Sequence, residues 1–210
     1  MLRSLSRLLP VLALSAGLAS AAEMEHRLRL AIDRLPDDVD GDGTVTLGAT
    51  SVDFDDFDGE YDRAGRVTLQ YSARIGGQVA AVFGGGFAYG RAEIEDDEDS
   101  LEEFGGIIEG GVSFRLAPTF DLEAVVPVGF GIGRVSGIDD EEVSYYDAAL
   151  LLRPVVTLAE RWQLFAEVGY IIRRESIEYD VAFDEEDDFH VEIDLEQDGL
   201  IAGLGVGVVF

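Results

Sequence analysis

The sequence predicts an all-β fold, an eight-stranded antiparallel up-and-down barrel that crosses a membrane. Apolar residues recur at every second position over long stretches, which is the period of a β-strand. The connections between these stretches alternate between about three residues and longer acidic segments, as in transmembrane barrels. Beyond the N-terminus, no stretch approaches the roughly 20 apolar residues of a transmembrane helix. A membrane form of this chain would therefore have to be a closed barrel.

The composition requires that charge be kept apart from apolar sequence. The 210 residues include 43 acidic and 15 basic ones, with a net charge of −28 and 47% hydrophobic residues. Disordered acidic chains are usually poor in apolar residues, and this chain is not. So acidic a surface repels phosphates and argues against nucleic acid as a partner. The chain has no cysteine, so no disulfide framework holds the fold.

The first 22 residues predict a signal peptide that is removed on export. Arg3 and Arg7 precede the apolar segment Leu8–Leu18, and small residues suited to cleavage follow at 19–22. A membrane anchor is the alternative, but the apolar segment is too short to span a bilayer. After cleavage, residues 23–42 are predicted to form a periplasmic segment, and residues 43–210 the barrel.

A run of alternating Asp and Gly residues lies within that periplasmic segment. Asp38, Asp40 and Asp42 occupy positions 1, 3 and 5 of a calcium loop, and Gly43 occupies position 6. Position 12 is Ala49, where the loop needs a bidentate Glu. Asp and Gly are also common in solvated turns. Weak Ca²⁺ binding at the three carboxylates is therefore the one cofactor hypothesis, with a turn as the alternative.

The predicted strands follow in order. Val67, Leu69 and Tyr71 alternate cleanly with polar neighbours in the second strand. The short connections lie at Gly76-Gly77, near Pro118 and near Glu160. The eight strands are 44–54, 66–75, 78–94, 104–116, 120–135, 143–158, 162 to the acidic tip at 184–188, and from that tip to 210; the other long acidic connections are 55–65, 95–103 and 137–142.

The polarity of the two strand faces favours a membrane barrel over a soluble, lipocalin-like one. The apolar parity carries no charge within about ten residues of a short turn, which is the span that a tilted strand needs. Arg91 and Arg134 share this parity but lie further along their strands. An arginine facing lipid at mid-bilayer would cost roughly 2–4 kcal/mol, so this spacing is what a membrane barrel requires.

The opposite parity carries charges that pair across the short turns. Folding the strands about these turns sets Arg153 opposite Glu167 and Arg115 opposite Asp121. Glu123, opposite Ser113, and Glu109 share this face. The lumen of an eight-stranded barrel is filled by side chains, and buried charges there need partners. We expect these ion pairs to form a structural plug; a gate or ion path is the alternative.

The last residues resemble the terminal strand of small outer-membrane proteins. Gly203 to Phe210 alternates Gly with Leu or Val and ends in Phe. With the strand alternation and the asymmetry of the connections, residues 43–210 resemble the eight-stranded barrels of the OmpA and OmpX type. The resemblance implies a monomer in the outer membrane of a Gram-negative bacterium, in contact with outer-leaflet lipid. It also implies an assembly signal, Gly205, Val208 and Phe210, for the barrel-assembly machinery, although the family usually has a polar residue in place of Gly203.

Three classes of function remain open for such a barrel. The first is a non-enzymatic structural or adhesin-like surface protein, the second a narrow porin, and the third a barrel enzyme acting on lipid A. An enzyme needs a positioned nucleophile or base. His26 precedes the predicted barrel and His190 lies in the acidic tip hairpin. The sequence therefore predicts a protein that is not an enzyme and favours the first class.

The terminal hairpin is unusually long. Folded about Glu186, it sets Trp162 opposite Phe210 and Val181 opposite Val191. Beyond Arg173 the apolar residues change to the lumen-side parity, so the hairpin should rise above the membrane as an amphipathic ribbon. An apolar face of that size needs cover, either from the rest of the chain or from a partner.

Overall fold

The computed structural model describes residues 24–47, 50–94, 100–136, 142–184 and 187–210. Within the strands, the side chains at 47, 55–58, 60, 62, 94, 142, 179–184 and 187–189 are not described. The predicted signal peptide lies outside the described residues, so its cleavage stays a prediction. Among the described residues there is no helix long and apolar enough to cross a membrane.

The described residues form one antiparallel sheet of nine strands that closes on itself. Two consecutive strands, β1 and β2, share one position in the wall, because both pair with β3 on one side and β9 on the other. The wall therefore has eight positions, and the predicted eight-stranded antiparallel barrel is confirmed. The strands are β1 (Met24–Arg34), β2 (Asp38–Leu47), β3 (Thr50–Gly76), β4 (Val79–Ile94), β5 (Ser100–Ala117), β6 (Phe120–Val135), β7 (Glu142–Leu158), β8 (Trp162–Asp184) and β9 (Asp187–Val209).

A proline separates β1 from β2. Pro36 has no N–H to donate to a ladder, so the regular pairing stops there. The Leu35 N–H still donates to the Ala64 carbonyl at 3.0 Å, and the Tyr61 N–H donates to the Asp37 carbonyl at 2.8 Å. On the other side, Nε2 of Gln197 donates to the Pro36 carbonyl at 2.5 Å. The break is thus bridged on both sides and does not open the wall.

The prediction of a periplasmic segment at 23–42 and a barrel starting at 43 is wrong. Strand β1 pairs along its full length with β3, and residues 27–34 pair with 209–202 of β9. Leu28, Leu30 and Ile32 face outward, while Arg27 and Arg29 are buried in the lumen. The alternation was visible in the sequence, but these residues also have good helix propensity. Pairing with the last strand decides between the two structures, because it closes the barrel.

The predicted acidic loop at 55–65 is also wrong, because these residues belong to β3. That strand is 27 residues long, and β8 and β9 have 23 residues each. At the end of the barrel away from the short turns, the strand bounds leave only residues 48–49, 95–99, 136–141 and 185–186 outside the strands. The predicted acidic connections at 95–103, 137–142 and 184–188 fall partly on undescribed residues. Much of the predicted loop sequence therefore extends the wall, since above the membrane a strand can carry charges on its water-facing side.

The two faces of the wall are inverted relative to a soluble protein. Near the short turns, the outward side chains are apolar, with Leu204 70% and Trp162 60% exposed. The inward side chains there are mainly charged, polar or small. Among the largest fully buried side chains are five arginines: Arg27, Arg29, Arg74, Arg153 and Arg173. Large exposed apolar surface is stable against lipid, which identifies this band as a membrane belt.

The terminal hairpin is paired two residues away from the predicted register. Trp162 lies opposite Val208 instead of Phe210, and Val191 lies opposite Tyr179 instead of Val181. At the tip, Asp184 lies opposite Asp187, so the pairing extends into the predicted acidic tip at 184–188. An even shift leaves every side chain on its predicted face, whereas a shift of one would invert them. The inward and outward residues were therefore identified correctly despite the wrong register.

Above the belt, the inside of the barrel becomes apolar. Leu195 belongs to a buried cluster against which Ile177 and Ile193 pack, and Val191 is buried as well. The ribbon is therefore amphipathic in its described part. Its apolar side is covered from within this chain, by residues from other parts of the wall: Leu35, Val39, Tyr61, Ala64, Leu101, Val135 and Val143. The side chains of Val181 and Phe183 lie outside the described set.

Candidate functional site: the charged lumen

Glu123 of β6 is the centre of the lower lumen layer. It is fully buried, and two arginines reach it across the barrel from β1. Nη1 and Nη2 of Arg29 donate to its two oxygens at 2.8 and 2.9 Å, a bidentate pair. Nη1 of Arg27 donates to the same carboxylate. Without this carboxylate, the two guanidinium groups would be buried beside each other with like charge.

Arg153 of β7 joins the layer from a third strand. Its Nη2 donates to Glu109 Oε2 at 3.0 Å, and its Nη1 lies 3.3 Å from Glu123 Oε2. Its Nε donates to Glu167, the residue that the turn near Glu160 sets opposite it. The sequence reasoning paired Arg153 with Glu167 alone, whereas the structure surrounds it with three carboxylates. Glu109, predicted to share this face, is one of them.

The phenyl ring of Phe165 lies close to two cations of this layer. The guanidinium carbons of Arg29 and Arg153 lie 5.4 and 5.5 Å from its centroid. These distances allow cation–π attraction on top of the ion pairs. The ring needs Gly205, because a Cβ there would meet the Phe165 ring at 2.2 Å. A residue predicted as part of an assembly signal is therefore also required for lumen packing.

At the end with the short turns, the network reaches water. Arg115 Nε donates to Asp121 Oδ1 at 3.2 Å, and its Nη2 donates to Glu25 at 2.6 Å. Arg115 and Asp121 are cross-strand neighbours, as expected from the turn near Pro118. Arg74 Nε donates to Ser113 Oγ at 3.2 Å, and its Nη2 to the Gly77 carbonyl at 2.5 Å. The rim is thus tied to the turn beside it.

A second charged layer lies nearer the other end of the lumen. Arg66 lies 3.4 Å from Asp33 and 3.2 Å from Asp147, while Arg173 contacts Glu103 and donates to Glu175 at 2.6 Å. Above the belt, the Tyr61 hydroxyl donates to Glu175 Oε2 at 3.1 Å. Burial, and then the neighbouring Glu175 carboxylate, raise the pKa of Tyr61 well above its usual value. Tyr61 therefore stays a neutral hydrogen-bond donor.

Sequence reasoning did not find all members of the two layers. It missed Arg27 and Arg29, which lie in the segment assigned to the periplasm, and it did not select Arg66, Arg173 or Asp147. Their signal was present in the alternation, since each sits on the inward parity of its strand. The turn near Glu160 sets Asp147 opposite Arg173, so this pair could have been derived in the same way as Arg153–Glu167. What the sequence could not supply was the choice of partners across the lumen, as for Arg66 with Asp147, because no turn relates those strands.

The predicted calcium loop does not form. Asp38, Asp40 and Asp42 lie exposed along one face of the extended strand β2. Alternate residues of a strand are about 6.6 Å apart, so their carboxylates do not converge as they do in a curled loop. Among the described residues, no group of three or more His, Cys, Asp or Glu side chains could hold a metal ion. The predicted solvated turn is equally wrong, because the residues are paired with β3 and β9.

The two histidines lie away from the charged lumen. His26 is on the outward face of β1, where its ring is stacked 5.8 Å from Tyr71 and 6.2 Å from Phe210. The Phe210 N–H donates to the His26 carbonyl at 3.0 Å, which ties the last residue to the first strand. His190 is exposed on β9. The other two residues of the predicted assembly signal, Val208 and Phe210, lie on this outer surface, and that signal remains a prediction.

Among known structures, the chain resembles the outer membrane protein OprG from Pseudomonas aeruginosa. The TM-score is 0.50 at 11% identity, over 89% of this chain and 95% of that one. The fold is that of an outer-membrane β-barrel. This fold and its apolar belt indicate the outer membrane of a Gram-negative bacterium, the location predicted from the sequence.

Two other solved structures show weaker similarity. The attachment invasion locus protein Ail of Yersinia pestis has a TM-score of 0.40 at 13% identity, over 90% of this chain and 99% of that one. The outer membrane protease OmpT of Escherichia coli has a TM-score of 0.39 at 10% identity, over 90% and 96%. No protein-family model and no curated protein matches the sequence.

Proposed function

We propose that this outer-membrane barrel is non-enzymatic and that its role is structural and surface-interactive, with the lumen closed by side chains. The observation that carries this proposal is the position of Glu123, where arginines from β1 and β7 meet on one carboxylate of β6. An eight-stranded barrel has an interior just wide enough for side chains, so such a junction fills its cross-section.

The energetics favour a permanent plug. Each buried charge here would cost several kcal/mol without its partners, so opening a path through the layer means separating several ion pairs at once. The second layer, around Arg66 and Arg173, and the apolar cluster above it obstruct the same path. A solute crossing the barrel would have to disturb all three.

The surface-interactive part of the proposal rests on the wall above the belt. Here β2 and β9 continue with mainly acidic outward side chains. Asp42 lies opposite Asp194 and Asp40 opposite Glu196, and like charges in such pairs repel. A cationic partner on the cell exterior would relieve this repulsion, as expected of an adhesin-like surface. Insertion by the barrel-assembly machinery and a monomeric state belong to the same proposal.

The decisive measurement is conductance in planar bilayers. We expect the refolded wild-type protein to give no discrete current steps, because the lumen is filled. The double variant Arg153→Ala, Glu109→Ala removes two facing side chains of the lower layer only, so with the second layer and the apolar cluster intact it should stay silent too. A matched control, Arg174→Ala with Glu196→Ala, removes an exposed pair 3.2 Å apart and should stay silent.

Each result has a clear meaning once folding is verified by the change in gel migration on boiling. Steps from the wild-type protein would favour the narrow porin. Steps from the folded double variant, but not from the control, would mean that the lower layer alone closes the lumen, as a gate would. Incubation with lipid A, followed by mass spectrometry, tests the enzymatic alternative; a new lipid A product would overturn the non-enzymatic assignment.

A further inference from the structure

The exposed arginines of this acidic chain are concentrated at one level of the wall. In the described part of the chain, six arginines have exposed side chains: Arg34, Arg63, Arg91, Arg134, Arg161 and Arg174. Arg161 lies in a short turn, whereas the other five lie where the apolar belt ends, on the side away from the short turns. Because short turns are periplasmic in barrels of this type, this edge faces the outer leaflet.

Three of these arginines line a groove of about 1150 Å³ in the wall, whose lining also includes the lumen-facing Asp33, Arg66 and Glu167. Gly65 of β3 lies directly opposite Arg34 of β1 and Arg91 of β4, and Arg63 is two residues further along β3. Neighbouring residues in such a row have Cα atoms roughly 4.5–5.5 Å apart, so the three guanidinium groups can reach a common ligand. Gly65 has no side chain and leaves the centre of the groove empty.

Directly below these cations the groove is apolar. Ile32, Val67, Tyr89 and Leu204 are aligned in one row across four strands. All four are exposed, by 64%, 39%, 43% and 70%. An acyl chain can lie against this row, while the arginines remain level with a lipid headgroup. The groove, which we call the arginine groove, is thus polar at its outer edge and apolar toward the bilayer centre.

The acidic neighbours of these arginines leave them available. Arg63 lies 3.9 Å from Glu93 and Arg91 lies 4.0 Å from Glu102, and all four side chains are substantially exposed. Exposed ion pairs at such distances contribute little. Arg34 has a closer contact with Asp37, but its side chain is 73% exposed. A phosphate can accept two hydrogen bonds from one guanidinium group and so compete well for these cations.

We propose that the arginine groove binds the phosphorylated headgroup of an outer-leaflet lipid, with the acyl chains along the apolar row. The surface above the groove is acidic and the chain carries a net charge of −28, so a soluble anion approaching from water is repelled. A lipid arrives within the membrane plane and avoids that field. The proposal does not depend on whether the lumen is closed.

The test is binding of bis-phosphorylated lipid A to the full mature chain refolded in detergent, followed by native mass spectrometry. The variant Arg34→Gln, Arg63→Gln, Arg91→Gln should weaken binding about tenfold or more, since it removes the charge-assisted hydrogen bonds. The variant Arg134→Gln, Arg161→Gln, Arg174→Gln makes the same change in net charge elsewhere and should bind like the wild-type protein. Inorganic phosphate and dephosphorylated lipid A provide the two ligand controls.

A second variant tests the groove without removing charge. A Cβ at Gly65 would have its nearest neighbour, the Asp33 carbonyl oxygen, at 3.4 Å, so Gly65→Leu can be accommodated and should fill the groove. We expect it to weaken lipid binding while the change in migration on boiling is retained. The proposal is overturned if the two triple variants lose binding equally or if Gly65→Leu binds as well as the wild-type protein. It is also overturned if dephosphorylated lipid A binds equally well or if inorganic phosphate displaces the lipid.

Discussion

At the scale of single residues, the lumen depends on matching each buried guanidinium to carboxylates. Glu123 is the strongest case, because Arg27, Arg29 and Arg153 all contact it and it is fully buried. An arginine that loses such a partner cannot regain water inside the barrel. Its charge would then be held in a region of low dielectric, and the folded state would bear the cost.

We therefore expect Glu123→Gln to destabilise the barrel by about 3–5 kcal/mol, the cost of breaking a buried ion pair by removing one partner. Gln has the same shape but leaves the three arginines without their common negative charge. Urea unfolding in lipid vesicles, followed by the fluorescence of the single tryptophan, Trp162, measures the change. The control is Glu196→Gln, an exposed partner of Arg174, for which a change below about 0.5 kcal/mol is expected. Equal effects of the two substitutions would contradict the assignment.

The same residues mark what sequence can predict. The pairs Arg153–Glu167 and Arg115–Asp121 could be derived because a short turn fixes which residues of two adjacent strands lie opposite each other. The contacts of Arg27 and Arg29 with Glu123 could not, because they cross the lumen between strands that do not touch. For these residues, the alternation predicts only that their side chains point into the lumen. Which of them pair is decided by the geometry of the closed barrel.

At the scale of elements, the main difference from the sequence-based prediction is the length of β3. Acidic sequence with apolar residues at alternate positions is compatible with a solvated loop or with a ribbon whose inner side is covered. In the terminal hairpin the alternation is regular and predicts the ribbon. At 55–65 consecutive acidic residues obscure the alternation, and pairing with β2 decides the structure there.

The covered side of the ribbon leads to a prediction about local stability. Val191→Asp places a carboxylate beside the apolar cluster above the belt, where it has no cation to pair with among the contacts described. We expect faster cleavage by added protease within residues 176–196, while the belt stays folded. Mass spectrometry of the fragments, together with migration before and after boiling, separates these two effects.

The matched control is Glu192→Ala, which changes the outward neighbour on the same strand. Its cleavage rate should remain close to that of the wild-type protein. If Val191→Asp leaves the fragment pattern unchanged, the inner packing of the ribbon does not contribute to its order. If it abolishes the change in migration on boiling, the ribbon and the membrane barrel are one cooperative unit.

At the scale of the whole molecule, the first and last strands close the barrel. Strand β1 pairs with β9, and Phe210 contacts His26 through both its N–H and its ring. We predict that Phe210→Ala lowers the amount of inserted barrel in cells, because Phe210 belongs to the proposed assembly signal. The measurement is the fraction in the outer membrane that changes migration on boiling.

Refolding in detergent distinguishes a role of Phe210 in the assembly signal from a role in closing the barrel. The purified Phe210→Ala variant should still refold without the machinery, since one exposed aromatic contact is a small part of the wall. Leu204→Ala, which shortens an equally exposed side chain of β9, should insert normally in cells. A Phe210→Ala variant that fails equally in both settings would assign the residue to barrel closure alone.

The pairing of β1 with β9 also has a consequence for the order of folding. The two strands come from opposite ends of the chain, so their contact is among the most non-local in the molecule and carries a large loop-closure cost. Arg27 and Glu123 are 96 residues apart, and their ion pair needs the same closure. Hairpins joined by short turns can form early, but their inward carboxylates then lack the arginines of β1. Closure of the barrel is therefore the step that completes the neutralisation of the interior, which makes the transition between an open sheet and a closed barrel cooperative.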